Sequence, residues 1–288
     1  MDNRPTMSEK TAAGRRRSGR AACGVLGGWV AVLVLIGAAV GAHGAGAGAE
    51  TDAAAILQAI VDNMRGGSVS AMLTLSVQRP NRETRYELEI LSDGEQRALI
   101  RVTSPPREAG QAFLRDGDNL WLYVPRLKRV LRLPPSGKTD RFLGSDLSYS
   151  DLSGRDAEQD YEARMAAQRE SDVVLDLFPR PGAPTPYGKV SLRATRPGYA
   201  PVEMLFFDQR GQAVRKVVFE AYVDVDRRAV PTRITVEDLL RPGQRTVASY
   251  SRYRFGVEIS PACFTLQGLE NGCPAPVATP VAPQGGHR

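Results

Sequence analysis

Histidine is nearly missing from this chain of 288 residues: the two present, His43 and His287, lie near its two ends. A Ser-His-Asp or Cys-His nucleophile therefore has no base between them. Histidine-based metal sites go the same way. Cysteine is equally scarce, at three residues, and the pair Cys263 and Cys273 has the wrong spacing for a zinc site. No Gly-x-Gly-x-x-Gly and no Walker-type loop is present. The sequence thus calls for no cofactor, no metal and no catalytic residue. Carboxylates alone remain for catalysis, and Asp140, Asp146, Asp151 and Asp156 cluster in one region. A glycosidase-like pair can be drawn from them. Capping of short helices is the plainer role for Asp146 and Asp151.

A strong charge imbalance is missing too. Lys and Arg number 38 against 32 Asp and Glu, but residues 1–49 hold six of the former and two of the latter. Residues 50–288 hold 32 against 30, a net charge of +2. A clustered basic face of the kind nucleic acid needs is not implied.

The first 49 residues read as an address rather than as fold. Arg15-Arg16-Arg17 and Arg20 form a basic start, Gly24 to Val40 carries no charge, and Ala47-Gly48-Ala49 is a cleavage site. The expectation is a cleaved export signal over residues 1–49 and a periplasmic location, an inner-membrane anchor being the alternative. Cys23 precedes the apolar run, so it is not the acylated cysteine of a lipoprotein. In an oxidising compartment the remaining Cys263 and Cys273 read as a disulfide.

Residues 50–270 have the pattern of one large β domain. A helix is expected over Thr51 to Met64, with Ile56, Ile60 and Met64 on its apolar stripe and Gly66-Gly67 ending it. A series of strands comes next. Val69 to Val77 places Leu73 and Leu75 on an apolar face, Arg85 to Ile90 places Tyr86, Leu88 and Ile90, and Arg97 to Val102 places Ile100. The opposite face is largely polar in the first and largely charged in the other two, the pattern of a sheet with one side in water. Gln111 to Arg115 carries Leu114, and Lys128 to Leu133 together with Arg126 just before it carries a basic run, Arg126, Lys128, Arg129 and Arg132, best read as a protected edge. Between them, Leu120 to Val124 is apolar on both faces and should be covered on both. Trp121 and Tyr123 share one of those faces and, with Phe113, suit either core or the wall of a cavity. Seven later segments, Asp160 to Ala167, Val173 to Phe178, Lys189 to Thr195, Val202 to Phe207, Val214 to Val223, Arg233 to Leu239 and Thr246 to Phe255, also alternate. The expectation is a single antiparallel barrel or curled sheet of roughly eleven or twelve strands. Residues 271–288, rich in Pro, Ala and Gly, read as a disordered tail.

One stretch breaks the alternation. In Arg141 to Gly154 the apolar residues Phe142, Leu143, Leu147, Tyr149 and Leu152 include several pairs three to five apart, closer to a helical than to a strand spacing. Ser145, Asp146, Ser150 and Asp151 are capping residue types. One or two short helices are expected, with Phe142, Leu143, Leu147 and Tyr149 as an apolar underside, acting as a lid over the sheet's hollow face, a permanent plug being the alternative.

Two runs carry a resemblance. Asp118-Asn119-Leu120-Trp121-Leu122-Tyr123-Val124-Pro125 and Arg141-Phe142-Leu143-Gly144-Ser145-Asp146-Leu147-Ser148-Tyr149-Ser150-Asp151 resemble the outer-membrane lipoprotein-sorting protein family, the LolA/LolB-like carriers. Tyr199-Ala200-Pro201-Val202 and Val230-Pro231-Thr232-Arg233 fit it as well. The resemblance covers residues from about 52 to 266, as a distant branch. It implies an open antiparallel half-barrel with helices covering a concave apolar face. It also implies non-catalytic carriage of lipoprotein acyl chains or lipid towards the outer membrane by a monomer. An inner-membrane transporter or permease and an outer-membrane acceptor would be its partners. Expectations from other classes are a carboxylate-based glycoside hydrolase of the cell envelope and a structural adaptor working with a lipid-exporting permease.

Overall fold

The structure, a computed structural model, describes residues 53–64, 67–94, 96–152, 157–183, 185–225, 228–274 and 276–278. The expected signal over residues 1–49 and Asp156 of the acidic cluster lie outside them.

Thirteen strands form one open antiparallel sheet that does not close into a barrel. In chain order they are β1 (Val69–Arg79), β2 (Arg82–Ser92), β3 (Arg97–Ser104), β4 (Ala112–Asp116), β5 (Asn119–Val124), β6 (Arg129–Arg132), β7 (Tyr161–Gln168), β8 (Asp172–Pro179), β9 (Lys189–Thr195), β10 (Pro201–Phe207), β11 (Ala213–Val225), β12 (Arg228–Asp238) and β13 (Arg245–Phe255). The count exceeds the expected eleven or twelve because every alternating segment, including the four-residue β6, joins the same sheet.

The spatial order is β6-β5-β4-β3-β2-β1-β13-β12-β11-β10-β9-β8-β7. Consecutive strands are neighbours in space except β6 and β7, and the first strand pairs with the last. Leu73 lies opposite Tyr250 and Leu75 opposite Ala248. The two free edges are β6 and β7, which are consecutive in the chain. The segment between them, residues 133–160, must therefore cross from one edge of the curled sheet to the other.

Strand alternation sends one apolar row inward along each strand. Leu73, Leu75 and Val77 of β1, Leu88 and Ile90 of β2, Ile100 and Val102 of β3 and Leu175 and Leu177 of β8 join a single buried core on the concave face. Helix α1 (Ala53–Met64) lies in that core with Ile56, Leu57, Ile60 and Val61 buried. Full burial of such a side chain is worth about 1.5–3 kcal/mol, so the four together hold the helix with up to about 6–12 kcal/mol.

The other face carries a smaller core. Leu91, Leu99, Ala112 and Leu114 meet Cys263, Phe264 and Leu269 there. These last three come from a turn of 3-10 helix, Pro261–Phe264, and from α3 (Leu266–Asn271). Ser260 caps the first and Thr265 the second, each accepting a backbone N–H. A Cβ on Gly268 would lie 2.1 Å from the carbonyl oxygen of Ala262, so only glycine lets α3 pack this closely. Cys263 and Cys273 form a disulfide that ties the end of this cover down. Beyond it, within the stretch expected to be a structureless tail, β15 (Val277–Ala278) pairs with β14 (Val257–Glu258).

Candidate functional site

Among the described residues the concave face has two covers, α1 and the crossing segment, the latter bonded to the strand region at its ends through Leu133 N–H to Leu120 O and Arg180 N–H to Asp160 O, each at 2.8 Å. The crossing segment contains three single turns of 3-10 helix, Pro135–Thr139, Phe142–Gly144 and Tyr149–Leu152, and a short helix, α2 (Ala157–Asp160). The expected break in strand periodicity is thus real, and it takes the form of tight turns rather than of a helix with several turns.

Local chemistry explains those turns. Ser148 Oγ accepts the Asp151 N–H at 3.3 Å, and Asp151 Oδ2 accepts the Ser148 N–H at 2.7 Å. This reciprocal pair is a capping box around Tyr149–Leu152. A further pair of backbone bonds closes the loop before it: Phe142 N–H to Leu147 O at 2.7 Å and Tyr149 N–H to Asp140 O at 3.0 Å. The reversal between them runs through Leu143 and Gly144, with φ of 50° and 69°. Glycine suits such a φ, and leucine occupies it only under constraint.

The underside of the segment is apolar. Phe142, Leu147 and Leu152 are buried in the concave core, and Leu143 and Tyr149 are half-buried against it. Phe113 of β4 meets Phe142 edge-on, with ring centroids 4.9 Å apart, and Tyr149 closes the triangle at 5.7 and 5.8 Å.

The upper side is held by charge. Asp146 Oδ2 receives Arg79 Nη1 at 2.9 Å and the Thr246 hydroxyl at 2.8 Å, while its Oδ1 lies 3.3 Å from Arg141. Arg79 also donates to Gly144 O at 2.6 Å, and Arg141 reaches Asp238 at 3.1 Å. Asp151 receives both Arg215 nitrogens, at 2.9 and 3.3 Å. Burial alone would lower the Arg215 pKa, but the Asp151 carboxylate and the Tyr187 hydroxyl outweigh it and hold the guanidinium above its ordinary value. Arg215 stays charged, as its enclosed partner requires.

Asp146 therefore caps nothing; it is an anchor to β1 and β13 instead. Asp151 does both jobs. A cavity of about 280 Å³ opens beside these pairs, lined by Arg141, Tyr187, Arg215 and Asp238 among others. Leu147, Val214 and Leu240 share its lining with charged groups, of which Arg141 is paired with Asp146 and Asp238 and Arg215 with Asp151. Among the described residues no group of His, Cys, Asp or Glu is placed to hold a metal ion. No helix among them is long and apolar enough to cross a membrane.

Of the residues expected to line an apolar hollow, Ile56, Ile60, Leu73, Leu75, Leu88, Ile90, Ile100, Phe142 and Leu147 meet in the concave core. Met64, Tyr86, Leu143 and Tyr149 pack at its margin. Leu114, Trp121 and Tyr123 do not belong there. They point to the opposite face and pack under the C-terminal cover. The reason is the strand period: Phe113 pairs with Leu122 and both face inward, so their neighbours Leu114, Trp121 and Tyr123 face outward. A platform combining Phe113 with Trp121 and Tyr123 is thereby ruled out.

Arg79, Thr246 and Arg215, which fasten the crossing segment, were not singled out by sequence reasoning. Their partners lie 67, 100 and 64 residues away, with no local pattern to mark them. The α3 cover was legible in principle, from Ser260-Pro261 and Thr265 ahead of Leu266 and Leu269.

With the geometry in place, comparison with known proteins is informative. No curated protein matches the sequence. The fold, however, is shared with several solved structures. An outer membrane lipoprotein-sorting protein domain from Vibrio parahaemolyticus superposes with a TM-score of 0.67 at 22% identity, over 76% of this chain and 98% of that one. A DUF1329 family protein from Desulfovibrio piger gives 0.68 at 22%, over 76% and 100%. A LolA superfamily protein from Nitrosomonas europaea gives 0.62 at 25%, over 75% and 98%. A family model described as uncharacterized-protein-like matches residues 94–271, which include the crossing segment and the C-terminal cover. The chain belongs to that family, a distant branch with the fold of the LolA-like outer-membrane lipoprotein-sorting proteins.

Proposed function

We propose that this protein is a non-catalytic carrier that takes the acyl chains of lipoproteins or lipids onto its concave face and passes them towards the outer membrane. Residues 50–270 form the carrier domain, and residues 1–49 are an export signal that delivers it to the periplasm. An inner-membrane transporter would hand cargo on and an outer-membrane acceptor would receive it.

The observation that carries this reading is the composition of the concave face. It is apolar across almost the whole sheet, yet among the described residues its covers, α1 and residues 134–152, sit on it. Such a cover can be exchanged without breaking a sheet hydrogen bond. The magnitudes allow it. Burying an acyl chain contributes about 0.8 kcal/mol per CH₂, so a chain of about fourteen carbons approaches what α1 loses if displaced, before association costs are subtracted. Cargo and cover are thus close competitors, and a receiving protein needs only a modestly better pocket to take the chain.

The glycosidase reading loses its support from the geometry of the carboxylates. Asp146 and Asp151 are each occupied by arginines and lie inside the protein. A structural adaptor would not need a face that is apolar throughout.

The test is extraction. Purified mature protein, expressed with its export signal, is extracted with organic solvent and the extract is read by mass spectrometry, in parallel with titration of a fluorescent fatty acid. Lipid in the extract and saturable uptake of the probe are expected. An empty extract together with no uptake would sink the reading. Asp146→Asn should leave uptake intact, whereas a hydrolase dependent on that carboxylate would be lost.

A further inference from the structure

Several exposed cations of this protein sit on carboxylates: Arg97 on Asp93 at 2.7 Å, Arg164 on Glu162 at 3.1 Å and Arg169 on Asp172 at 2.8 Å. The turn that joins β5 to β6 is different. Residues 119–139 contain five Lys or Arg and no Asp or Glu. Arg126, Lys128 and Arg129 are exposed, and no carboxylate among the described residues pairs with any of them. Among them stands Leu127, 60% exposed. Three cations thus flank one apolar side chain at the tip of a hairpin.

Local structure holds the tip in shape. Pro125 opens one turn of 3-10 helix, Pro125–Leu127, and Lys128, at a φ of 48°, closes it by donating its N–H to Pro125 O at 3.1 Å. The neighbouring loop, residues 105–111, supports it. A Cβ on Gly110 would lie 3.2 Å from Pro125 Cγ, and Arg126 donates to Arg107 O at 3.3 Å. That contact brings Arg107, its side chain 79% exposed, up to the same tip. The Arg107 guanidinium lies 3.5 Å from Glu108, so it adds less charge than the other three.

We propose that this tip docks the protein on an anionic membrane surface, with Leu127 entering the headgroup region and Arg126, Lys128 and Arg129 meeting lipid phosphates. A bilayer fits this chemistry better than an acidic protein does. The tip is a single convex turn, whereas each partner of a standard protein complex gives up about 800 Å². A lipid surface deforms around a convex tip, and it favours cations beside an exposed leucine. The proposal goes beyond the carrier reading and does not require it. The two meet in one respect: β6 leaves directly from the tip, and its Leu131 pairs with Leu122, which packs against the concave core. Docking there sets a free edge of the concave face at the lipid.

The experiment is flotation of the mature protein with vesicles of phosphatidylglycerol and phosphatidylethanolamine in equal parts, against vesicles of phosphatidylcholine alone. Partitioning should favour the anionic vesicles and weaken with added salt. Each cation near such a surface contributes about five-fold, so Arg126→Gln with Lys128→Gln and Arg129→Gln should lose about a hundred-fold. Arg164→Gln with Arg169→Gln and Arg233→Gln changes the net charge equally away from the tip, and should lose less than about three-fold. Both sets are exposed, so both should keep the wild-type melting temperature. Leu127→Ser, expected to lose about ten-fold, is the second variant if the tip set does not. A polarity-sensitive fluorophore on Leu127→Cys should brighten and shift to the blue on the anionic vesicles, and the same label on Leu266→Cys, exposed on α3, should not. Equal losses in the two neutralised sets, or a label at position 127 that stays in water, overturns the docking. No binding of the wild type to the anionic vesicles, with fatty-acid uptake intact, also overturns it and leaves an acidic protein as the partner of the tip. Vesicle binding without fatty-acid uptake supports the docking and sinks the carrier reading instead.

Discussion

The Arg215 guanidinium grips the Asp151 carboxylate through two nitrogens, at 2.9 and 3.3 Å, across 64 residues of sequence. This pair joins the crossing segment to β11 inside the protein, with the two side chains 12% and 2% exposed. It makes the cover of the concave face a matter of electrostatics as well as of apolar contact.

Removing one partner of an enclosed pair strands the other. Asp151→Ala should therefore lower stability by about 3–5 kcal/mol, read as the shift of a urea unfolding midpoint. The double variant Asp151→Leu with Arg215→Met should recover most of that loss, because neither charge is then left buried. A single variant with a wild-type midpoint would show that the pair does not hold the segment.

Asp146 fastens the other end of the loop. Asp146→Asn keeps the shape but removes the charge that Arg79 and Arg141 share. Local opening should become easier while global stability changes less. Hydrogen exchange at the Phe142 and Tyr149 amides, which bond within the loop at 2.7 and 3.0 Å, should quicken by about ten-fold, and exchange in β1 should not. Equal quickening in both would mean that the segment opens only with the whole fold.

The tyrosines set the alkaline limit. Burial pushes the Tyr253 hydroxyl up to about 12 and raises Tyr149, where Asp140 adds to the effect. Each is protonated in the folded protein at pH values where the unfolded chain, with an ordinary value near 10, has lost the proton. The unfolded state then binds fewer protons, so stability falls as pH rises through about 10 to 12. Urea midpoints measured across that range should decline, and Tyr253→Phe should decline less steeply.

The disulfide closes a short loop over the outer core. Reduction of Cys263 and Cys273 should cost about 3 kcal/mol in the chain-entropy account, again read as a urea midpoint, with and without reductant. A midpoint indifferent to reductant would mean that α3 is held by Phe264 and Leu269 alone.

Much of this architecture is legible in particular residues. Leu73, Leu75 and Val77 alternate with polar neighbours, and they form the inner row of β1 as that period requires. Phe142, Leu147 and Tyr149 break the period, and they form the tight turns of the cover. Trp121 and Tyr123 are a different case. Their strand is apolar on both faces, so its sequence carries no sign of which side faces the hollow. That depended on α3, whose own signal is two capping residues and a pair of leucines. Arg79 and Arg215 are ordinary strand arginines by sequence, among many others with the same surroundings.

The sequence by itself therefore determined the local part: where the chain extends, where it turns, where the sheet pattern is interrupted, and that histidine chemistry has no place in the fold. Those properties depend on residues a few positions apart, through backbone sterics, side-chain period and capping. The tertiary structure alone decided the rest. It joined β1 to β13, brought the free edges β6 and β7 to the two ends of one connecting segment, and seated Asp146 and Asp151 on arginines far away in sequence. It also sent Leu122 inward and Trp121 outward. Each of these results from how the sheet curls and what then covers it. Curvature sums contributions from all thirteen strands, and no short stretch of sequence carries that sum.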